Sequence, residues 1–590
     1  MTLSKDKKII IIIILLVFIS VTLRILSIPS LNWDMTEHNV PWYMTLRNDG
    51  ITKALGTRFA DYAPPYTYFL ALVTFTYGFI KPLYAIKLIP IFFDIFGAFF
   101  VYKIVKLKYE QRLLPALAAA IYFTAPSVIL NSAHWGQVDS LYTFFLLVSL
   151  YLMIKEKPLA SIISLGLAFS IKAQGAFLVP FMCIMVLRKK MPWWYLGLVP
   201  LIYLIAAMPV VLLGRPFIEV LLIYKAQALT YPELAMNSAT IYTLFPHDWY
   251  PAFLPFALVT AALLVIYWIY TTSQNKIKLD NKYLVLIAFV SVALVPFVLP
   301  KMHDRYFYPA DVLSIILAFY YPSLWILPIL YQISSTSAIS IFLFNTNAIF
   351  VIYGFFLNTT ALAIALRTQR KVENRSAANP KILASLSWLS TLLTPFILFG
   401  IGLHILLTPA LIRFEYDLPY MPADSYGFSK SERFQRASQT MEYLTNEKQI
   451  QFLTNQRFEN GSPVYNELEA YKVDGIKNFI QQTASIWNLA LAATFILGML
   501  AWAGDWLPYF RQGIKRGGWF TVGLTIIIGI AIAIFAGANP NTYFQNSDTF
   551  LRLFPTVFWR DSFLIMAIGM IGIGSLLAIS LAKIENKSQD

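Results

Sequence analysis

Cysteine is almost absent. Cys183 stands alone in 590 residues, so the chain holds no internal disulfide and its redox compartment is left open. Charge is scarce too: Asp, Glu, Lys and Arg make up 13% of the residues, where soluble domains carry about 25%. Basic residues outnumber acidic ones 46 to 31, a net charge of +15, but they form short clusters between apolar runs. With no continuous basic face, a nucleic-acid partner is not expected. The opening run "MTLSKDKKIIIIIILLVFISVTLRI" lacks the small-residue cleavage site of a signal peptide and continues to about residue 28, so it reads as a retained first helix.

What the chain has in abundance is apolar surface. Hydrophobic residues reach 58%, mean hydropathy is +0.61, and the apolar runs repeatedly exceed the ~18 residues that mark a spanning helix. The expected class is an all-α polytopic membrane protein. Aromatics at 16%, with 34 Tyr and 14 Trp, suit the interfacial belts of many spans.

Orientation follows from the positive-inside rule. "KDKK" places the N-terminus in the cytoplasm, and the first helix, about 9 to 28, delivers "NWDMTEHNVPW" to the external side. If the stretch at about 64 to 80 spanned as well, every later basic loop would be inverted. Read as an external juxtamembrane helix in the first loop, it leaves "KEK", "RKK", "NKIKLDNK" and "RTQRKVENR" all cytoplasmic. About 16 transmembrane helices are then expected. Twelve end by about residue 366, and four more fall at about 384 to 408, 483 to 503, 519 to 537 and 560 to 583. In this count Asp34, Glu37, His38, Asp61, His134, Gln137, Asp139, His303, Asp304 and Arg305 collect at external helix ends and loops.

The ordered series "WDMTEHNVPW", "DGITKALGTRFADYAPPYTYF", "HWGQVDSLY", "SIKAQGAFLVPF" and "KMHDRYFYPAD" resembles the motifs of the multispanning GT-C glycosyltransferases. It is closest to the bacterial proteins similar to the GPI mannosyltransferases. The likeness covers about residues 1 to 370 and implies a GT-C fold and a sugar donor carried on a polyprenyl phosphate. The acceptor would be a glycan, a lipid or a protein. The implied activity is a mannosyltransferase-like hexosyltransferase, moving mannose or glucose at the extracytoplasmic face of a bacterial plasma membrane. The first external loop of that family carries the acidic catalytic residue, which falls here on Asp34, with Glu37 and Asp61 beside it in the same loop.

Such a reaction needs a carboxylate to take the acceptor's proton, and Asp34 suits that role. It also needs cations facing the departing phosphate, for which His303, Arg305 and Lys172 are candidates. His134, Gln137 and Asp139 could hydrogen-bond sugar hydroxyls, and Trp135 could offer a stacking face. Each has a plainer reading: Glu37 and His38 as surface residues, Asp61 as a helix cap, His303 and Arg305 as snorkelling interface residues. Asp34, Glu37 and His38 alone do not define a metal site, so no metal ligands are assigned and a divalent ion is left open. Asp94, inside a span, must be paired or protonated.

A basic linker, 371 to 383, leads to a second module at 384 to 590 with an external polar segment at 411 to 482. Its "YGFSKSERFQRA", "YNELEAYKVDGIK" and "SDTFLRLFPTVFW" resemble a bacterial integral-membrane family that includes lipoprotein intramolecular transacylases. Those enzymes rely on external histidines. This module has none after His404, and Tyr471 stands about where one is expected, so an accessory role is expected instead. The competing class for the whole chain is a transporter or flippase of lipid-linked sugars. That class would place charges near the bilayer midplane and show related halves; here the charges gather at one rim and no internal repeat is seen.

Overall fold

A computed structural model describes residues 4–376, 378–423, 428–446, 448–458, 461–535 and 548–587. Tyr426 and Gly427 of "YGFSKSERFQRA" and Ser547 of "SDTFLRLFPTVFW" lie outside the described residues. The protein is all-α. Among the described residues the only strands are Ala235–Met236 and Met302–His303, which pair in parallel.

Among the described residues eleven helices are long and apolar enough to cross a membrane. A twelfth crossing is formed if Leu113–Thr124 and Pro126–Trp135, bent by 51° at their junction, act as one span. The bend has a local cause, since Pro126 has no N–H to continue the preceding helix and its ring restricts Ala125. Four further apolar helices, Asp139–Ile154, Pro158–Ile171, Ala173–Leu187 and Tyr308–Tyr320, are shorter than a full crossing. The stretch expected at 64 to 80 is an 11-residue helix, Pro64–Thr74, followed by turns. It rises only ~16 Å, about half of the hydrocarbon thickness, and most of its residues are buried in the protein.

The first helix is inside-out relative to a helix of a water-soluble protein. In the helix Lys5–Ser27 the buried residues are Ser20 and Arg24, while Phe18 and Leu26 face outward. An all-round apolar helix exposed in this way needs lipid as its solvent. Both terminal nitrogens of Arg24 in the helix's polar stripe are paired internally. Arg24 Nη2 lies 2.8 Å from Asp94 Oδ2 and Nη1 donates to the Phe123 carbonyl. Asp94 also accepts from Ser132 at 2.6 Å and Tyr308 at 3.3 Å. Asp94 is therefore the paired intramembrane carboxylate of the two alternatives, and it ties together four separate segments.

The chain divides into two compact units, Met1–Arg375 and Ser376–Asp590. In the second, the spans Pro380–Leu406, Glu467–Ala503, Leu507–Ile532 and Thr556–Leu581 are accompanied by a small polar region. There the helices Pro409–Asp417 and Lys430–Thr445 close over Ile412, Tyr443, Leu453, Tyr465, Phe550 and Phe554. The 37-residue helix Glu467–Ala503 is longer than a crossing, and its first turns belong to this region.

Removing one member of the Arg24–Asp94 pair would strand a buried charge. Asp94→Ala is expected to lower stability by ~3 to 5 kcal/mol, and the double change Arg24→Met with Asp94→Leu to recover most of it. Thermal unfolding of the wild type and the two variants in one detergent measures this.

Candidate functional site

Two short π-helical segments carry the residues that the sequence singles out. Asp34 immediately precedes Met35–Asn39, and Trp135 ends Leu130–Trp135. π-turns widen a helix by one residue and recur at functional sites because they re-aim side chains. Gly136 then turns the chain with φ +81°, and a Cβ there would run into the Met35 side chain. Asn32 joins the segments, donating to the carbonyl of Trp135 at 3.0 Å while its Oδ1 accepts from the Met35 amide. Buried Lys87 clamps them further, donating to the Ser30 and His134 carbonyls, each at 2.7 Å.

This arrangement brings two N–H donors onto one oxygen of Asp34. Trp135 Nε1 and Gln137 Nε2 reach Oδ2 at 2.7 and 2.6 Å. Gln137 is itself oriented by Tyr62, whose hydroxyl donates to its Oε1 at 2.8 Å. Both bonds fall on Oδ2, so Oδ1 is the oxygen left to accept a proton. Burial pushes the Tyr62 phenol well above its usual range, which keeps it a neutral donor.

Asp34 faces a cavity of about 210 Å³ whose wall also includes Asp61, Gln137, Lys172, His303 and Arg305. Behind that wall lies Asp139, fully buried. Lys172 Nζ reaches its Oδ1 at 2.5 Å, Asn131 donates to Oδ2 at 2.7 Å, and Arg305 Nε stands 3.6 Å from Oδ2. Arg305 also lies over the Trp135 ring, 4.9 Å from its centroid, and pairs with Asp304 at 3.4 Å. Its acidic neighbours hold the guanidinium above its usual range despite burial.

Six of the ten residues expected at the site thus share one cavity, and four do not. Glu37 is exposed and away from the cavity wall. The His134 ring packs against Phe344, and its carbonyl, rather than its imidazole, is the group engaged. Trp135 is buried with its ring stacked on Phe342 and covered by Arg305, so it positions Asp34 and has no open face for a sugar. Asp139 is committed to Lys172, Asn131 and Arg305, which makes it a support for the two cations instead of a sugar ligand.

His303 lines the cavity, but not as a cation. Burial, together with Arg305, Lys172 and Lys301, drives its imidazole down to about 3. At neutral pH it is an uncharged hydrogen-bonding group. Asp61 is exposed and weakly paired with Arg58 at 3.5 Å, and its backbone carbonyl accepts from Gln227.

Sequence reasoning missed Asn32, Tyr62 and Lys87. Lys87 carried a usable signal, a lysine inside an apolar run; a lone Asn or Tyr in an aromatic-rich loop carries none. Among the described residues no three His, Cys, Asp or Glu side chains are grouped to hold a metal ion.

No protein-family model matches the chain, and no solved structure matches it. It is 24% identical over 194 residues to an uncharacterized protein of Aquifex aeolicus (strain VF5), a match spanning 31% of this chain and 87% of that protein.

Asp304 offers a pH test of the site. Burial raises its carboxyl from 3.8 to about 7, with Arg305 opposing and Asp139 and Asp34 adding to the rise. Between those values the unfolded chain has released the proton while the folded protein retains it. The stability tied to holding that proton is therefore full below 3.8 and lost as pH rises to about 7. Asp304→Asn should match the wild type near the lower value and become progressively more stable than it through the window. Melting temperatures of both proteins across a pH series check this, and a constant difference would contradict it.

Proposed function

We propose that the chain is a membrane glycosyltransferase of the GT-C type, transferring a hexose from a polyprenyl-phosphate sugar to an acceptor hydroxyl at the extracytoplasmic face of a bacterial plasma membrane. One observation carries the reading. The polar cavity holding Asp34, Lys172 and Arg305 adjoins an apolar groove of about 330 Å³, and the two share Gln174, Gln227, Tyr231, His303 and Tyr306 as a common wall. Phe177, Met236, Leu258, Val295 and Leu299 line the apolar side, with Leu258, Val295 and Leu299 on or beside the spans His247–Ser273 and Asn281–Val298. A substrate with a charged, hydroxylated head and a long hydrocarbon tail fits that junction; a nucleotide sugar would leave the groove unused.

The chemistry divides accordingly. As the acceptor oxygen forms its bond to the sugar's anomeric carbon, its proton passes to Asp34 Oδ1. The bond from that carbon to the phosphate oxygen breaks, and the lipid phosphate leaves with the electron pair. Arg305 and Lys172 meet the charge that grows on it, and Lys301 lies at the edge of the adjoining groove. Trp135 and Gln137 hold Asp34 through Oδ2 and fix its orientation, which is preorganisation in the sense that matters for rate. Neutral His303 contributes a hydrogen bond to a hydroxyl or phosphate oxygen.

Asp34→Asn retains size but cannot accept the proton, so turnover should fall by ~10²- to 10⁴-fold with donor-lipid binding nearly unchanged. Arg305→Ala should cost ~2 to 4 kcal/mol of transition-state stabilisation, with Arg305→Lys recovering part of it. Radiolabelled polyprenyl-phosphate sugars offered to protein in nanodiscs provide the assay. Wild-type transfer by Asp34→Asn would remove Asp34 as the base, and no transfer by the wild type with any of the donors would sink the reading and favour a transporter. Sidedness has its own check: Thr36→Cys should react with an impermeant thiol reagent in intact cells and Lys189→Cys should not. The reverse pattern would move the site to the cytoplasm.

A further inference from the structure

The cavity at Asp34 has a second face, away from the apolar groove. Wall residues that the groove does not share include His38, Trp42, Arg58 and Asp61, all from the segment between the helices Lys5–Ser27 and Pro64–Thr74. His38 is therefore a wall residue and not the plain surface residue that its place in the sequence suggests. It lies on the π-helical turn Met35–Asn39 that Asp34 precedes. Its ring is 5.5 Å from that of Trp42, tilted by 31°, and Trp33 meets it nearly at right angles at 4.9 Å. Trp42 in turn meets Tyr62 edge-on at 5.6 Å, and the Tyr62 hydroxyl orients Gln137 against Asp34.

The mouth of this face is hydrophilic. Arg58 and Asp61 keep 51% and 68% of their side chains exposed and stand 3.5 Å apart, a surface pair that holds its members weakly. Thr230 is exposed and lines the cavity as well. The Asp61 carbonyl accepts from Gln227 Nε2 at 2.5 Å, which pins the loop backbone to the helix Ile223–Leu229 while the carboxylate stays accessible.

We propose that this face is the acceptor subsite and that the acceptor is a glycan, its terminal ring against His38 and Trp42 and two of its hydroxyls on Arg58 and Asp61. The role of acceptor rests on the glycosyltransferase reading. A pyranose has an apolar face whose C–H groups suit the negative face of an aromatic ring, and a rim of hydroxyls that donate and accept. A carboxylate only accepts and a guanidinium only donates, so the neighbouring pair satisfies both senses of a vicinal diol. A sugar held there shares the cavity with Asp34, which awaits a hydroxyl proton. A lipid alcohol would need a second apolar track, and the apolar groove lies behind the opposite wall, where the donor's tail is placed. A serine or threonine side chain brings a hydroxyl but no ring to cover His38.

The test measures binding and transfer separately, on the full-length protein in nanodiscs. Saturation-transfer NMR compares methyl mannobioside, methyl glucobioside, a serine- and threonine-bearing peptide and a short-chain diacylglycerol. At least one disaccharide should bind, with the strongest signal on its ring C–H protons. His38→Ala should weaken that binding about tenfold, as should the double change Arg58→Ala with Asp61→Ala, the scale of one or two modest contacts. His38→Phe, which keeps a ring, should stay within about twofold of the wild type. Retention of polyprenyl phosphate by each variant checks that it is folded. No binding of either disaccharide by the wild type, binding of the peptide or diacylglycerol that falls with His38→Ala, or disaccharide binding that survives both alanine changes would each overturn the subsite. A His38→Phe protein as impaired as His38→Ala would overturn the stacking. Disaccharide binding with these sensitivities, in a wild type that transfers sugar from no donor, would keep the sugar site and remove the glycosyltransferase reading. Transfer to the peptide without disaccharide binding would do the opposite.

Discussion

Asp139 has to be neutralised where it is, and the first unit's candidate site is organised around how that is done. A carboxylate with no solvent contact costs several kcal/mol unless cations and donors surround it. Its three partners come from well-separated parts of the chain: Asn131 from a π-helical turn, Lys172 from the end of Pro158–Ile171, Arg305 from the loop after the short strand Met302–His303. Each partner is immobilised by serving Asp139. Lys172 and Arg305 also form part of the cavity wall, so the carboxylate that anchors them presents two oriented cations to whatever enters. Arg305 carries the same logic one step further by covering Trp135, whose indole N–H holds Asp34. The catalytic candidate and the cations opposite it are therefore parts of one connected network, joined through a single aromatic ring.

Much of this was legible in the sequence, for identifiable reasons. Apolar runs report their solvent directly, so the membrane class needed no structure. The loop carboxylate Asp34, the pair His303 and Arg305, and the intramembrane Lys172 all stood out as polar groups in a chain that has few. What a residue does with its polarity was less legible, because that depends on neighbours distant in sequence. Trp135 and Asp139 lie four residues apart, and both looked available to a sugar. One is sandwiched by Phe342 and Arg305 and the other is fully coordinated, facts set by contacts reaching as far as 207 positions along the chain. His303 looked cationic because histidines near phosphate sites often are, but three surrounding cations and burial make it neutral.

Helix lengths mark another limit. Sixteen apolar stretches can be counted in the sequence, and among the described residues eleven form helices of full spanning length. The others are cut short by local chemistry. Pro126 bends one, the extended backbone at Lys172 ends another, and Pro309 opens the 13-residue helix Tyr308–Tyr320 beside the site loop. These interruptions cluster around the residues that line or support the cavity. Ending a helix within the protein creates unsatisfied carbonyls and amides, and those groups are then used: the His134 carbonyl takes Lys87, and the Lys172 turn places its ammonium against Asp139.

Shortened helices also explain why a polar cavity and an apolar groove can touch. A full-length span keeps its polar ends and its apolar middle about half a bilayer apart, whereas a helix that stops early brings a charged loop against hydrocarbon-facing side chains. In the segment 299–306 the chain passes from Leu299 and Met302 in the groove to His303 and Arg305 in the cavity within a few residues. The Arg305 side chain is only 15% exposed at that boundary, so its attraction for an incoming anion is screened less than it would be at a fully hydrated surface. The same low polarity penalises an unpaired anion, and the protein meets that demand in advance by fixing its cations to Asp139. On the proposed reading, a lipid phosphate arriving at this boundary finds its counter-charges already oriented, with its tail still in an environment as apolar as the membrane it came from.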